Sequence, residues 1–165
     1  MRFLHSGQEF FDTNYTNIYI RGIRTIRVRI FSGLSRLGNI GVMAQSILIV
    51  DDESIARTLL RLILVHAGYE VIEAENGTDA LKKISQKKPD LVLLDVMMPG
   101  MDGFDVCLTL REQEACFELP VIMLSARADL DSINRGLAAG ATKYLTKPIS
   151  HVALTQHVTE VLNRH

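Results

Sequence analysis

The chain of 165 residues contains no tryptophan, four prolines and two cysteines. Cys107 and Cys116 fit no CxxC or cysteine–histidine spacing, so the sequence predicts ordinary thiols of a reducing cytoplasm rather than a zinc site or a disulfide framework. No apolar run approaches the ~20 residues that cross a bilayer, so we expect no membrane span. No GxGxxG follows a predicted strand and no GxxxxGK occurs, which argues against a nucleotide-binding loop.

The composition that is present is typical of a packed globule, with 47% hydrophobic residues and no low-complexity tract. The net charge of −1 conceals an uneven distribution along the chain. Residues 1–45 contain six arginines and two acidic side chains, whereas residues 46–165 contain 12 basic and 17 acidic side chains. We therefore expect a basic N-terminal extension over residues 1–44 and a folded domain over residues 45–165.

From residue 46 onward, short apolar runs alternate with segments of helical periodicity, which is typical of a parallel sheet covered on both faces by helices. Five strands are predicted, at residues 46–50, 69–72, 90–95, 120–124 and 142–146. Five helices are predicted, beginning near Glu53, Asn76, Phe104, Asp129 and Ser150. This pattern predicts an α/β fold, namely a flavodoxin-like doubly wound five-stranded parallel sheet of order 2-1-3-4-5 with five helices.

Two of the predicted helices show clear apolar periodicity. The first, over residues 53–67, has helical spacing of Ile55, Leu59, Leu62, Ile63 and His66. The last has helical spacing of Leu154, Val158, Val161 and Leu162.

Four of the predicted strands end in polar residues. In chain order these residues are Asp51 with Asp52, then Asp95, Ser125 and Lys147. Because the carboxyl ends of parallel strands lie side by side, we expect these side chains to meet in one crevice. Three carboxylates repel one another, and a hard dication with oxygen ligands relieves that repulsion while it bridges to phosphate. The sequence therefore predicts a site for a divalent cation, best fitted by Mg²⁺, and a phosphoryl group.

These residues resemble the receiver domain of two-component response regulators. The resemblance rests on Asp51-Asp52, on the segment DVMMPGMDG at residues 95–103, on Ser125-Ala126 and on Lys147-Pro148. The spacings of 43, 30 and 22 residues between Asp52, Asp95, Ser125 and Lys147 also match that family. The resemblance covers residues 46–165. Since no effector domain follows the last helix, we expect a stand-alone receiver of the chemotaxis type.

The resemblance implies the roles of the acidic residues. Asp95 is expected to accept the phosphoryl group, as a carboxylate nucleophile. Asp52 and Asp95 would bind Mg²⁺ through their side chains, Met97 through its backbone carbonyl, and Asp51 mainly through water. An additional role of Asp51 and Asp52 as N-terminal helix caps is compatible with metal binding.

The resemblance also implies the roles of the remaining polar residues. Lys147 would pair with the phosphoryl oxygens, aimed by a cis bond to Pro148. The Ser125 hydroxyl would bind a phosphoryl oxygen once Asp95 is modified, and Tyr144 would then swing inward. Met97 and Arg127 occupy the two positions that tune the lifetime of the phosphate in this family.

We therefore expect a cytoplasmic phosphorylation switch that is not an enzyme, except that it assists its own phosphoryl transfer and dephosphorylation. The expected partners are a histidine kinase or phosphotransfer protein and a downstream protein effector, whereas DNA binding is not favoured. Two other functions stay open. One is an enzyme on the same fold, such as a phosphatase or a flavin-binding oxidoreductase, and the other is a DNA-binding regulator that uses the basic N-terminal segment.

The N-terminal segment allows three interpretations. Residues 18–41 contain five arginines and no acidic side chain, and residues 26–30 alternate like a strand without an obvious partner. The segment could be an organelle-targeting presequence or a nucleic-acid-binding arm. We favour a start codon assigned too early, because residues 43–52 read like the natural beginning of a receiver. The extension is otherwise expected to be disordered.

Overall fold

The computed structural model describes residues 15–20, 23–29 and 44–164. The chain divides into two units, residues 1–43 and residues 44–165, and each is described by itself. In the first unit, β1 (Tyr15–Ile20) and β2 (Ile23–Arg29) form an antiparallel pair. β2 contains residues 26–29 of the alternating segment, and β1 is its partner. The expectation that the native chain begins after residue 42 stays a prediction.

The second unit has the element order predicted from the sequence. The strands are β3 (Ser46–Val50), β4 (Glu70–Ala74), β5 (Leu91–Asp95), β6 (Val121–Ser125) and β7 (Lys143–Thr146). The helices are α1 (Ser54–His66), α2 (Gly77–Gln86), α3 (Gly103–Glu112), α4 (Leu130–Ala138) and α5 (His151–Leu162). A 3₁₀ turn at Glu114–Cys116 was not predicted.

All five strands of this unit are parallel, in the order β4-β3-β5-β6-β7. Numbered within the unit, this is the predicted order 2-1-3-4-5. The order reverses between β3 and β5, and at such a switch point a crevice opens beyond the carboxyl ends of the strands. The predicted doubly wound fold is therefore confirmed.

Each central strand contributes side chains to both faces of the sheet, because successive residues of a strand point in opposite directions. In β3, Ile47 and Ile49 pack with α1 and α5, whereas Leu48 and Val50 pack with α2 and α3. Every residue of β3, β5 and β6 is buried. Burial on both faces explains why these strands read as continuous apolar runs.

The predicted first helix forms, but of its five periodic residues only Ile63 packs against the core, and the other four are exposed. Leu60 and Leu64 are its buried residues, at 8% and 0% exposure. Ile55, Leu59 and Leu62 are 83%, 58% and 59% exposed, and we call these three residues the α1 apolar stripe. The helix has apolar residues on two faces, and only contact with the sheet selects between them. The face of the last helix is confirmed, since all four of its periodic residues are buried.

Among the described residues, no helix has the length and apolar composition that a bilayer crossing needs.

Candidate functional site

The predicted polar residues lie at one edge of the sheet. Asp51 and Asp52 follow β3, and Asp95 and Ser125 are the last residues of β5 and β6. Lys147 follows β7, and its backbone N–H donates to the carbonyl oxygen of Ser125 at 2.7 Å. The parallel register puts the ends of neighbouring strands at the same height, so these residues share one crevice.

The Lys147 ammonium joins two carboxylates of the crevice. Its Nζ donates to Asp95 Oδ1 at 2.6 Å and to Asp51 Oδ2 at 2.9 Å. The bond between Lys147 and Pro148 is cis, as expected. Strand ends that are 96 residues apart in sequence are thereby joined by one cation.

Asp95 is held through both of its carboxylate oxygens. Oδ1 accepts from Lys147, and Oδ2 accepts from the backbone N–H of Met97 at 2.9 Å. Only 6% of Asp95 is exposed, and this burial raises the pKa of its carboxyl group, although Lys147 acts in the opposite direction. Burial lowers the pKa of Lys147, but the hydrogen bonds to Asp95 and Asp51 outweigh it, and the net shift is upward. The ammonium therefore stays charged, and it faces two carboxylates.

The two adjacent aspartates have different surroundings. Asp51 is 2% exposed, and its Oδ1 accepts the backbone N–H of Glu53 at 2.9 Å. Asp52 is exposed and lines a groove together with residues of the β4–α2 and β5–α3 loops. The buried carboxylate is thus bound to protein groups, whereas the exposed one is open to an external ligand.

Arg57 was missed by the sequence reasoning. Its Nη1 donates to the backbone oxygens of Asp51 and Asp52, at 2.7 and 3.1 Å. Glu73 on β4 lies 3.7 Å from its Nε and helps to orient it. The arginine ties the first turn of α1 to the chain that follows β3. Its position within a predicted helix was the one signal in the sequence.

Gly103 is a second residue whose role the sequence did not reveal. A Cβ atom here would lie 2.4 Å from the carbonyl oxygen of Asp95 and 2.9 Å from the Cα of Val96. The start of α3 therefore approaches the backbone of Asp95 more closely than any side chain permits. The sequence placed Gly103 in a turn cluster but not against Asp95.

The donor chemistry of the crevice fits Mg²⁺. Asp51 and Asp95 are carboxylates opposed by one ammonium, so negative charge remains in excess, and Asp52 adds to it. Within the described part of the chain, no group of three acidic, histidine or cysteine side chains could hold an ion by itself. Mg²⁺ suits such a site, since it commonly binds through one or two carboxylates and keeps several waters.

Ser125 and Tyr144 are connected through the backbone of one residue. Ser125 is fully buried, and its Oγ accepts the N–H of Arg127 at 3.1 Å. The hydroxyl of Tyr144 donates to the carbonyl oxygen of Arg127, also at 3.1 Å, and its ring packs against the core. The structure thus connects the hydroxyl of the crevice with the predicted aromatic.

Comparison with known proteins gives a consistent result. The family model for the response regulator receiver domain matches residues 47–159. The chain is 44% identical over 122 residues to the alkaline phosphatase synthesis transcriptional regulatory protein PhoP of Bacillus subtilis. It is 42% identical over 123 residues to the phosphate regulon transcriptional regulatory protein PhoB of Pseudomonas aeruginosa. The matched regions are 74% of this chain in both cases, and 50% and 54% of the two relatives, so the chain spans about half of their length.

Solved structures with the same fold include a chemotaxis protein and the receiver domain of a histidine kinase. The chemotaxis protein CheY4 of Vibrio cholerae matches with a TM-score of 0.69 and 33% identity, over 72% of this chain and 98% of that chain. The signal receiver domain of a signal transduction histidine kinase from Syntrophus aciditrophicus matches with a TM-score of 0.70 and 37% identity. That match covers 73% of this chain and 92% of the other.

Proposed function

The chain belongs to the family of response regulator receiver domains of two-component systems, and from this premise we propose that Asp95 is its phosphoryl acceptor. The observation that supports this most directly is the bridge from Lys147 to Asp95 and Asp51. A partly buried ammonium bound to the acceptor carboxylate lies where the oxygens of a transferred phosphoryl group would need a counter-charge.

In the proposed chemistry, the bond that forms and the bond that breaks involve only the donor and the Asp95 carboxylate. One carboxylate oxygen bonds to phosphorus while the P–N bond of a phosphohistidine breaks, and the ring leaves as neutral imidazole because its other nitrogen carries a proton. The product is an acyl phosphate on Asp95. Lys147 then shifts its hydrogen bond to the phosphoryl oxygens, and the Ser125 hydroxyl donates to one of them.

Mg²⁺ is the proposed cofactor, held by the carboxylates of Asp52 and Asp95 and the backbone carbonyl of Met97, with Asp51 acting mainly through water. When bound, the ion neutralises charge on the transferring phosphoryl group. The exposed position of Asp52 beside an open groove supports its assignment as a direct ligand.

The proposed donor is a histidine kinase or a phosphotransfer protein, and we place its docking surface on the α1 apolar stripe. A donor must bring its phosphorylated side chain to the crevice, and α1 begins only two residues after Asp52. Ile55, Leu59 and Leu62 form a row on the exposed side of this helix. Exposed apolar area next to the reaction site favours a protein partner over a small donor.

The proposed output is contact with a downstream protein. Phosphorylation would shift an existing equilibrium between conformations rather than create a new fold. The relatives named as transcriptional regulators are about twice as long as the matched region, so gene regulation is a property of those longer proteins.

The decisive experiment is labelling with acetyl phosphate and Mg²⁺. We expect wild type to take up a single hydroxylamine-labile phosphate, and Asp95→Asn to take up none. Asp90→Asn is the matched control, because Asp90 precedes the same strand and its Oδ2 binds Ser46 at the opposite end. Equal labelling of wild type and Asp95→Asn would refute the proposal.

Further measurements on the same protein distinguish the proposed function from an enzyme and from a DNA-binding regulator. We expect labelling to stop when EDTA removes Mg²⁺ and to weaken in Asp52→Asn. Repeated turnover of a phosphate ester or a visible flavin spectrum would indicate an enzyme on this fold instead. Salt-sensitive DNA binding that disappears with residues 1–42 would indicate a DNA-binding regulator.

A further inference from the structure

Gly136 lies within α4 at a position where helix geometry does not require glycine. The helix runs from Leu130 to Ala138, and Gly136 does not adopt the left-handed backbone conformation that favours glycine. Glycine is the least favourable helix residue after proline. Another reason must therefore account for glycine here.

The reason is a close approach by an aromatic ring. A Cβ atom on Gly136 would lie 2.6 Å from Cδ2 and 3.1 Å from Cε2 of Tyr144. It would also lie 3.0 Å from the sulfur of Met123, which neighbours Tyr144 in the β6–β7 register. The ring of Tyr144 thus lies directly on the backbone of α4, in space that any side chain would fill.

This ring position is the one from which the Tyr144 hydroxyl reaches Arg127. The hydroxyl donates to the carbonyl oxygen of Arg127, and the N–H of the same residue donates to Ser125 Oγ. A short chain of contacts therefore leads from the Ser125 hydroxyl through one residue's backbone to the tyrosine, and from its ring to α4.

The helix is also held on its other flank. Arg135 lies with its guanidinium carbon 4.1 Å from the centre of the Phe104 ring, and its Nη2 lies 3.5 Å from Asp102 Oδ2. Phe104 is 2% exposed and belongs to the core. Moving α4 away to accommodate a Cβ on Gly136 would disturb these contacts, so we expect the Tyr144 ring to be displaced instead.

We propose that Gly136 is a positioning residue of the switch. Because it has no side chain, the Tyr144 ring can occupy the position from which the tyrosine hydroxyl binds the carbonyl oxygen of Arg127. The proposal rests on the proposed function for its meaning, because the contact matters to signalling only if Asp95 is the acceptor. The atoms that a Cβ on Gly136 would meet first belong to Tyr144 and Met123, not to the polar residues of the crevice. Its substitution should therefore separate phosphorylation from the response of Tyr144 and α4.

The first test is a double-mutant cycle on the full chain without phosphorylation, read as the denaturant midpoint of unfolding. Gly136→Ala should lower the midpoint when Tyr144 is present and raise it in the Tyr144→Ala background, because alanine is the better helix former once the ring is gone. Asn134→Ala, on the exposed side of α4, should shift the midpoint in the same direction in both backgrounds.

A Gly136→Ala effect of the same sign and size in both backgrounds would overturn the proposal. If Gly136→Ala alone fails to fold, recovery of folding in the double variant supports the contact, and failure of both overturns it. This cycle needs no phosphoryl donor, so it tests the contact even if Asp95 is not labelled.

The second test follows Tyr144 by fluorine NMR of protein that contains 3-fluorotyrosine, with the Tyr144 signal assigned by Tyr144→Phe. In wild type we expect this signal to resist broadening by a soluble paramagnetic probe after labelling with acetyl phosphate and Mg²⁺. In Gly136→Ala we expect equal labelling but strong broadening. A protected Tyr144 in labelled Gly136→Ala would overturn the proposal, as would loss of its labelling while wild type is labelled.

Discussion

At the scale of single residues, the crevice combines groups that a stable core would not place together. Asp51 and Asp95 are almost completely buried, and among the described residues only Lys147 bonds to both of them. Burial of a carboxylate without full compensation disfavours its charged form, which agrees with the raised pKa of Asp95. A cation or a phosphoryl group bound in the crevice would therefore add favourable interactions to Asp95.

A carboxylate outside the crevice shows the opposite behaviour and gives a pH prediction. The hydrogen bond from Lys83, 2.6 Å from Asp79 Oδ2, holds the pKa of Asp79 below its usual range. A lowered folded-state pKa adds stability above the unfolded-state pKa, and this stability is lost as the pH falls through the folded-state pKa. The pair is partly exposed, so we expect Asp79→Asn to cost only about 0.5 kcal/mol at pH 7.

The measurement is the urea midpoint of wild type and Asp79→Asn between pH 7 and pH 2. The difference should persist down to about pH 4, the usual range of an aspartate, and shrink below it. Asp131→Asn, an exposed aspartate in the first turn of α4, is the control for charge removal alone. A difference that grows as the solution is acidified would contradict this account of Asp79.

At the scale of elements, α1 has one apolar face buried against the sheet and a second apolar face that is exposed. Leu60 and Leu64 attach it to the sheet, and Arg57 fixes its first turn to the backbone of Asp51 and Asp52. The α1 apolar stripe points away from the core, although its spacing is equally helical. Exposed apolar residues in one row on a fixed helix are a ready surface for a protein partner.

We predict that Leu62→Glu slows phosphotransfer from the cognate donor protein about tenfold or more, because it places a charge within an apolar contact. Labelling by acetyl phosphate should be unchanged, since a small donor does not need the stripe. Leu108→Glu on α3 is the matched control, because Leu108 is 48% exposed and Leu62 59%. The docking surface would be wrong if both variants slowed transfer equally, or if neither did.

At the scale of the whole molecule, the core that the structure describes lies in the second unit, residues 44–165. The buried residues that the structure describes lie between Ser46 and Leu162, in two clusters on the two faces of the sheet. Both clusters combine the central strands with helices of residues 44–165. The basic N-terminal segment forms a unit of its own.

We therefore predict that a chain beginning at Ala44 keeps the unfolding midpoint of the full chain. Its rate of labelling at Asp95 should differ from that of the full chain by less than about twofold. Circular dichroism during urea titration and acetyl phosphate labelling are the measurements. A large loss of stability would show that residues 1–43 contribute to the folded unit.

Intact-mass analysis of protein from the native host tests the expected later start, and a mass that includes residues 1–42 would rule it out.

The sequence predicted the strands most accurately where both faces of a strand are buried. β3, β5 and β6 lie inside the sheet and read as apolar runs, and the polar residue after each run marked its carboxyl end. The prediction was least accurate at the edge, where β4 spans residues 70–74 rather than 69–72. Its residues are mostly half-exposed, so hydrophobicity alone marks its ends poorly.

By itself, the sequence determined the strand order, the convergence of Asp51, Asp52, Asp95, Ser125 and Lys147, and the family that this pattern resembles. The alternation of strands and helices and the spacing of the strand ends are local patterns, and the strand order follows from them through the regular topology of doubly wound sheets. Only the tertiary structure decided which face of α1 is buried, that Lys147 joins Asp51 to Asp95, and that the ring of Tyr144 lies on Gly136. Each of these is a contact between distant segments, and its distance depends on how helices pack on the sheet rather than on any pattern within one segment.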